Sequence, residues 1–325
     1  MRIAKCEMRN GKCTSLNSAE GGTMRNGKVK WGIKGTVLQN VLMKRYTSMR
    51  VGGPVSYLIY PVNEEDLSDT IRVLHDEHIR YRFVGNATNI IVNDRGLEEA
   101  VIRITRMRFS QQKKVKDGAF VEVSGGASLK GFIKNNAEKG LAGLERLYWI
   151  PGTVGGGVKM NAGSFDASIS DVLEEVRIVD NDGKAKSLTK KDMFFDYRTS
   201  PIKSSECIVS ATFYLKNRDK KEISVDMDYV YTERRKRHPM EYPSSGSIFK
   251  SVNGAPAWQF VEKAGLRGFK IGDACVSEKH TNFIINAGHA TAKDVKMLID
   301  AIKKTVFERI GISLEEEVEL WGFDE

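Results

Sequence analysis

Five glycines crowd the segment IPGTVGGGVKMNAGSF, Ile150 to Phe165: Gly152, Gly155, Gly156, Gly157 and Gly163. Without a Cβ, such residues let backbone N–H groups come close to a ligand and take positive φ, as the lining of a pyrophosphate requires. So much glycine also weakens any regular element there. The segment is not a Walker loop, because no Gly-Lys-Ser/Thr follows, and it lacks the strand-to-helix flanks of the dinucleotide GxGxxG fingerprint. Two further segments carry turn residues of the same kind. TSMRVGGPVSYLI sets Gly52-Gly53 directly before a strand, and RFVGNATNIIV sets small residues between two strands. Taken singly each is an ordinary tight turn; facing one groove, the three would surround an extended dinucleotide.

The elements that must position these turns can be read from periodicity. SYLIYPV reads as a strand, EEDLSDTIRVLHDEH as a helix with acids in its first turn, and YRFV and NIIV as the strands flanking the second turn. This is a βαβ-like start. AVIRIT, AFVEVSGG, VRIVDNDGK and CIVSATFYL are further short β-branched strands, with a helical stretch at ASLKGFIKNNAEKG. After these come a helix at PAWQFVEKAG, a strand at NFIINAG and an amphipathic helix from Thr291 to about Ile310. Thr291 followed by Asp294 is a helix-start signal, and Val295, Leu298, Ile299, Ile302 and Val306 form one apolar face, expected to be core. The fold class is α+β.

Composition bounds the rest. At 325 residues and 41% hydrophobic, the chain can fill more than one core. No window reaches the length of a membrane span, and the first residues lack the apolar region of a signal peptide, so a cytoplasmic protein without membrane insertion is expected. Cys6, Cys13, Cys207 and Cys275 form no metal-ligand spacing, and no metal is expected. Lys and Arg number 51 against 42 Asp and Glu, a charge of +9 that favours anionic ligands. Without a nucleic-acid motif, that charge does not make a nucleic-acid partner. Residues 1–34 read as a polar tail in which MRNGK occurs twice, at Met8–Lys12 and Met24–Lys28, with folding expected to begin near Val37.

Ordered motifs across residues 46–322 resemble one family, the UDP-N-acetylenolpyruvoylglucosamine reductases (MurB). They are TSMRVGGP, GLERLYWIPGTVGGGVKMNAGSF, DYRTSPIK, PSSGSIFK, WQFVEKAGLRGFKIGDACVSEKHTNFIIN and LEEEVELWG. The resemblance implies an FAD-binding module of the vanillyl-alcohol oxidase (PCMH-type) fold at 35–217, in two subdomains of about 35–104 and 105–217. An α+β substrate-binding domain at 218–325 follows. It implies a monomer with non-covalent FAD, NADPH as cosubstrate and a UDP-amino-sugar enolpyruvyl ether as substrate. The FAD contacts would come from Arg50, Gly52 and Gly53; from Val84, Gly85, Asn86, Ala87, Thr88 and Asn89; and from Pro151, Gly152, Thr153, Gly155, Gly156, Asn161, Ala162 and Gly163.

The resemblance also implies three catalytic residues that base rates alone would pass over. Arg198 of DYRTSPIK would be a surface arginine, Ser247 of SSGSIFK a loop serine, and Glu317 the third acid of a solvated run. In the family they stabilise charge beside the substrate carboxylate (Arg198, Glu317) and protonate carbon (Ser247). Tyr197, Lys250, Arg267 and Lys270 are expected substrate contacts. The chain departs from the family at Gly85-Asn86-Ala87-Thr88-Asn89, where a glycine run is common. It departs also at His238 in place of Gln, at Ser251-Val252 in place of Asn-Pro, and at Glu316 in place of Pro. The short interval from Arg198 to Ser247 matches the subtype without a tyrosine-bearing lid, which makes 218–245, with Tyr229, Tyr231 and the basic run Arg234 to Arg237, a candidate lid or else a strand-helix connection. Against a tethered oxidase, the five histidines (His75, His78, His238, His280, His289) fall outside the cofactor motifs.

Overall fold

The computed structural model describes residues 31–323. The MRNGK repeat, Cys6 and Cys13 lie outside the described residues. Packing begins earlier than the expected start near Val37: the Trp31 ring meets Tyr57 edge-on at 4.9 Å, and Lys34 N donates to the buried carboxylate of Asp66 at 2.7 Å. Residues 31–34 therefore belong to the fold, because Trp31 and Ile33 cover apolar surface that the first sheet would otherwise leave wet.

The first sheet holds β1 (Thr36–Leu42), β2 (Pro54–Tyr60), β3 (Tyr81–Val84) and β5 (Leu97–Arg103) in the order β1-β2-β5-β3. β5 runs parallel to both β2 and β3. Helix α1 (Glu64–Asp76) crosses from β2 to β3. Asn63 caps it by accepting from Asp66 N, acids occupy its first turn, and Leu67, Ile71 and Leu74 are buried one helical turn apart. The remaining strand of this region, β4 (Ile90–Val92), pairs in parallel with Glu319–Trp321 from the far end of the chain.

The second sheet is antiparallel: β6 (Ser110–Val115), β7 (Gly118–Ser124), Cys207–Asn217, Leu173–Val179 and Ala185–Thr189 lie side by side. Every residue of β6 is exposed. An edge strand with two wet faces has no alternation to read, so the sequence gives no sign of it. Helix α2 (Leu129–Ala137) and helix α3 (Val154–Lys159) cover the sheet. α3 forms in the glycine-rich run although glycine weakens any regular element there. Thr153 caps it by accepting from Gly156 N, and Val154 and Val158 are fully buried. Packing supplies what propensity withholds: Gly155 N donates to Gly125 O at 2.8 Å, and a Cβ at Gly155 would sit only 3.1 Å from that carbonyl oxygen.

Helix α4 (Lys220–Arg237) fills most of the candidate lid and follows directly on the strand Cys207–Asn217, the strand-helix arrangement. Ile223 and Met227 enter the core of the second sheet, so one face of the helix is packed scaffold. The last region packs α5 (Ala257–Lys263) and α6 (Ala292–Ile310) on a sheet of Ser244–Ser247, Phe283–Asn286, Ala274–Val276 and Lys270–Ile271. α6 begins at a reciprocal Thr291–Asp294 cap, and all five residues of its predicted apolar face are buried. Asp94 accepts from Ala292 N and Lys293 N, both at 2.9 Å, so a carboxylate from the first region also caps α6.

His238 ends α4, with its ring 4.9 Å from Phe283 and 5.4 Å from His280. Burial, with smaller contributions from the charges of Arg234 and His280, pushes its pKa down to about 4. Between an unfolded value of about 6.5 and this folded value, the unfolded chain binds a proton that the folded chain refuses, so stability is lost as pH falls. The loss approaches roughly 3 kcal/mol if the full shift is expressed. Thermal melts from pH 7 to pH 4 should show a fall in Tm that is clearly smaller in His238→Gln. Parallel curves for the two proteins would contradict this account.

Candidate active site

The three turns do face one another. Ser48 N, in the turn that leads to Gly52-Gly53, donates to Ala87 O at 3.1 Å. Thr88 Oγ1 reaches Pro151 O at 3.5 Å, and Gly85 lies so close to Thr153 that a Cβ there would overlap the threonine Oγ1. Gly53 is equally constrained: a Cβ would run into the carbonyl of Asp94. Arg50 at φ 59°, Ala87 at φ 51° and Asn161 at φ 39° take the left-handed conformation without being glycine, a costly choice that the surrounding bonds must hold. Ala87 thus takes a conformation that favours glycine. Val84 and Ala162 are buried behind the turns. Asn86 is held by Arg103 Nη2 at 3.2 Å.

Beside this groove stands an ion pair. Arg198 Nε donates to Glu317 Oε1 at 2.7 Å, and both side chains are largely buried. Arg198 sits at φ 53° in a turn closed by two backbone bonds between Asp196 and Thr199, and its Nη2 donates to Gly163 O at 3.3 Å. Glu317 is tied from two further sides: its N donates to Ile248 O at 2.7 Å, and its O accepts from Asn89 Nδ2 at 3.0 Å. Since Ile248 follows Ser247, the backbone ladder that runs on through Phe249–Glu316 and Lys250–Glu315 sets the serine strand beside the glutamate. Burial is the larger effect on Glu317 and raises its carboxyl above the usual range, while Arg198 pulls the other way. An acid form is thereby within easier reach than on the surface.

The expected substrate contacts divide. Tyr197 lies against Arg198, with its hydroxyl 3.1 Å from Ser251 Oγ, and Lys250 is near enough to Glu317 to act on its carboxyl. Arg267 is instead engaged by Glu262, at 2.6 and 3.1 Å, and by the Glu278 carbonyl. Lys270 is exposed on the outermost strand of its sheet. Among the described residues, neither bonds to Arg198, Glu317 or the turns.

Sequence reasoning missed Arg234, which hides in the basic run Arg234-Arg235-Lys236-Arg237. It is only 8% exposed, donates through Nε to Tyr148 O at 3.0 Å, lies over the Phe165 ring, and leaves Nη2 buried without a partner. Burial, and then the charge of Arg198, lower its pKa to about 10, so it stays a cation at neutral pH. A readable signal existed. Ile223, Met227, Val230 and Arg234 share one helical stripe and are the buried residues of α4.

Comparison with known proteins identifies the family. Residues 238–321 match the family profile described as UDP-N-acetylenolpyruvoylglucosamine reductase, C-terminal domain, and residues 55–189 match the FAD binding domain. The chain is 38% identical over 288 residues to the UDP-N-acetylenolpyruvoylglucosamine reductase of Caldicellulosiruptor saccharolyticus, covering 88% of this chain and 92% of the relative. It is 38% identical over 281 residues to UDP-N-acetylenolpyruvoylglucosamine reductase 2 of Symbiobacterium thermophilum, covering 86% and 90%. The crystal structure of the reductase (MurB) from Thermus caldophilus superposes with a TM-score of 0.74 at 34% identity, over 89% of this chain and 99% of that one. Matches to the FAD binding domain and to the C-terminal domain, with 38% identity over 88% of the chain, place this chain in the UDP-N-acetylenolpyruvoylglucosamine reductase family.

Proposed function

We propose that the chain reduces UDP-N-acetylglucosamine enolpyruvate to UDP-N-acetylmuramate in peptidoglycan precursor synthesis, using FAD as its cofactor and NADPH as the reductant. The observation that carries the reading is the buried Arg198–Glu317 pair, joined to the Ser247 strand on one side and to the three turns on the other. The turns suit a dinucleotide. Ser48 Oγ and Asn161 Oδ1, one in the first turn and one in the third, are buried polar atoms without a partner, and each can bond a ligand group. Arg50, Gly52 and Gly53, Val84 to Asn89, Pro151, Gly152, Thr153, Gly155 and Gly156, and Asn161 to Gly163 would hold the cofactor.

FAD, when bound, supplies the hydride, received from NADPH, that adds to the terminal carbon of the enolpyruvyl double bond. The protein must then manage the charge left beside the substrate carboxylate. Arg198 offers a planar fork of donors to that carboxylate, and Glu317, with its raised pKa, adds a hydrogen bond as charge develops. Ser247 delivers the proton to the adjacent carbon, completing the addition of hydride and proton across the double bond. The unpaired Nη2 of Arg234 is a further donor for the anionic substrate, since a buried guanidinium without a counter-ion gains most from an anion. Free, buried Cys207 and Cys275 fit a reducing compartment, and we place the reaction in the cytoplasm. No helix among the described residues is long and apolar enough to cross a membrane.

Ser247→Ala separates the two halves of this chemistry. Reduction of the flavin by NADPH needs no proton at carbon and should keep its rate. Reoxidation by the UDP-sugar should slow by about 10²–10⁴-fold, the usual range for a general acid. Stopped-flow absorbance follows both halves, and equal slowing would remove Ser247 from the proton-donor role.

Gly85→Ala tests the turns. Its Cβ would overlap Thr153 Oγ1, so the second and third turns must separate, and FAD should bind about tenfold more weakly or worse. Flavin released on denaturing the purified variant measures this; full occupancy and unchanged affinity would argue that the cofactor lies elsewhere.

A further inference from the structure

The Arg198 turn is held by three alternate residues at the end of the glycine-rich segment. Asn161 Nδ2 donates to Asp196 O at 2.9 Å, two residues before Arg198. Gly163 O accepts from Arg198 itself at 3.3 Å. Lys159, the last residue of α3, donates its ammonium to Ile202 O, four residues after Arg198. Ile202 is buried in the second core, so the lysine bonds to a fixed point of the scaffold.

Lys159 is a poor choice for scaffold alone. Its side chain is half-buried, no carboxylate among the described residues lies within ion-pair distance of Nζ, and burial holds the amine below the usual lysine range. A methionine of similar length would fill the space without the desolvation cost of an ammonium. The turn it grips has a reason to need gripping. Arg198 is a non-glycine residue at φ 53°, and that conformation persists only where neighbouring bonds over-determine it.

We infer that Lys159 and Asn161 are positioning residues that fix the Arg198 guanidinium against the substrate carboxylate, an inference that rests on the role given above to Arg198. The donor fork of an arginine recognises a carboxylate only when its plane and distance are set, so a small shift of the turn disturbs the second half of the reaction. NADPH oxidation makes no use of that carboxylate. Lys159 thus acts through Arg198 and touches neither the reacting carbon nor the hydride.

The test compares holoenzyme carrying Lys159→Met and Lys159→Gln, each alone and combined with Arg198→Ala, in both half-reactions. Substrate affinity is read separately from the flavin absorbance change of the oxidised enzyme. Lys159→Met should slow reoxidation on the order of 10–100-fold and weaken substrate binding, while flavin reduction by NADPH stays within about twofold. Lys159→Gln, which keeps a donor for the Ile202 carbonyl, should recover much of the loss. In the Arg198→Ala background, Lys159→Met should add less than about twofold, because the interaction it supports is already gone. Full additivity with Arg198→Ala, or equal slowing of both halves in Met and Gln variants alike, would overturn the inference. Loss of flavin from both variants would overturn it too, by making Lys159 part of cofactor retention. An Arg198→Ala enzyme that reoxidises normally would instead fail the reading of Arg198, and the role of Lys159 with it; a defect in Arg198→Ala without one in Lys159→Met fails the Lys159 role alone.

Discussion

Glu317 is the residue on which the rest of this site depends, since each of its polar groups binds a different part of the chain. Its carboxylate accepts from Arg198, its N–H donates to Ile248 beside the serine, and its carbonyl accepts from Asn89 in the second turn. The third turn joins through Gly163, which receives the other arm of Arg198. A group of this kind can hold three regions in register only if it is dry, because water would compete for every bond. Burial supplies that dryness and also raises the carboxyl. The same desolvation that makes Glu317 a good organiser therefore gives it chemistry.

Electrostatics around this point are unbalanced in one direction. Arg198 has a carboxylate partner, but Arg234 and Lys159 are drawn into the protein without an ion pair among the described residues. Elsewhere the cations are mostly conventional: Arg267 with Glu262, Lys303 with Glu316 and Lys250 with Glu315 are paired. Unpaired buried charge is destabilising, and the anionic substrate of the proposed function would offset that of Arg234. The overall charge of +9 does not distinguish this site from a general basic surface. The local arrangement does.

The turns illustrate a second constraint, close approach. The glycine-rich segment packs its helix on Gly125 and its capping threonine on Gly85, so glycines there serve chain-to-chain contact as much as conformational freedom. Ala87 marks the complementary case, an ordinary residue held in a glycine-like conformation while its carbonyl accepts from Ser48 N. This turn thus holds its conformation through contacts rather than through glycine.

Local rules made much of this protein legible before any coordinates. The acids and apolar spacing of Glu64–Asp76 and the Thr291–Asp294 cap place α1 and α6, because capping and periodicity act within a few residues. The motifs carrying Arg198, Ser247 and Glu317 could be recognised for the same reason: each is a short, contiguous string. What those strings do not contain is how they meet. Arg198 and Glu317 are 119 residues apart, and Asn89 and Glu317 are 228 apart, distances over which no spacing rule operates. The helix in the glycine-rich run, the packing of α4, and the burial of Arg234 and Lys159 were likewise decided by the tertiary structure. In each case the surroundings, through packing and desolvation, overrode what the residue would do in an isolated segment.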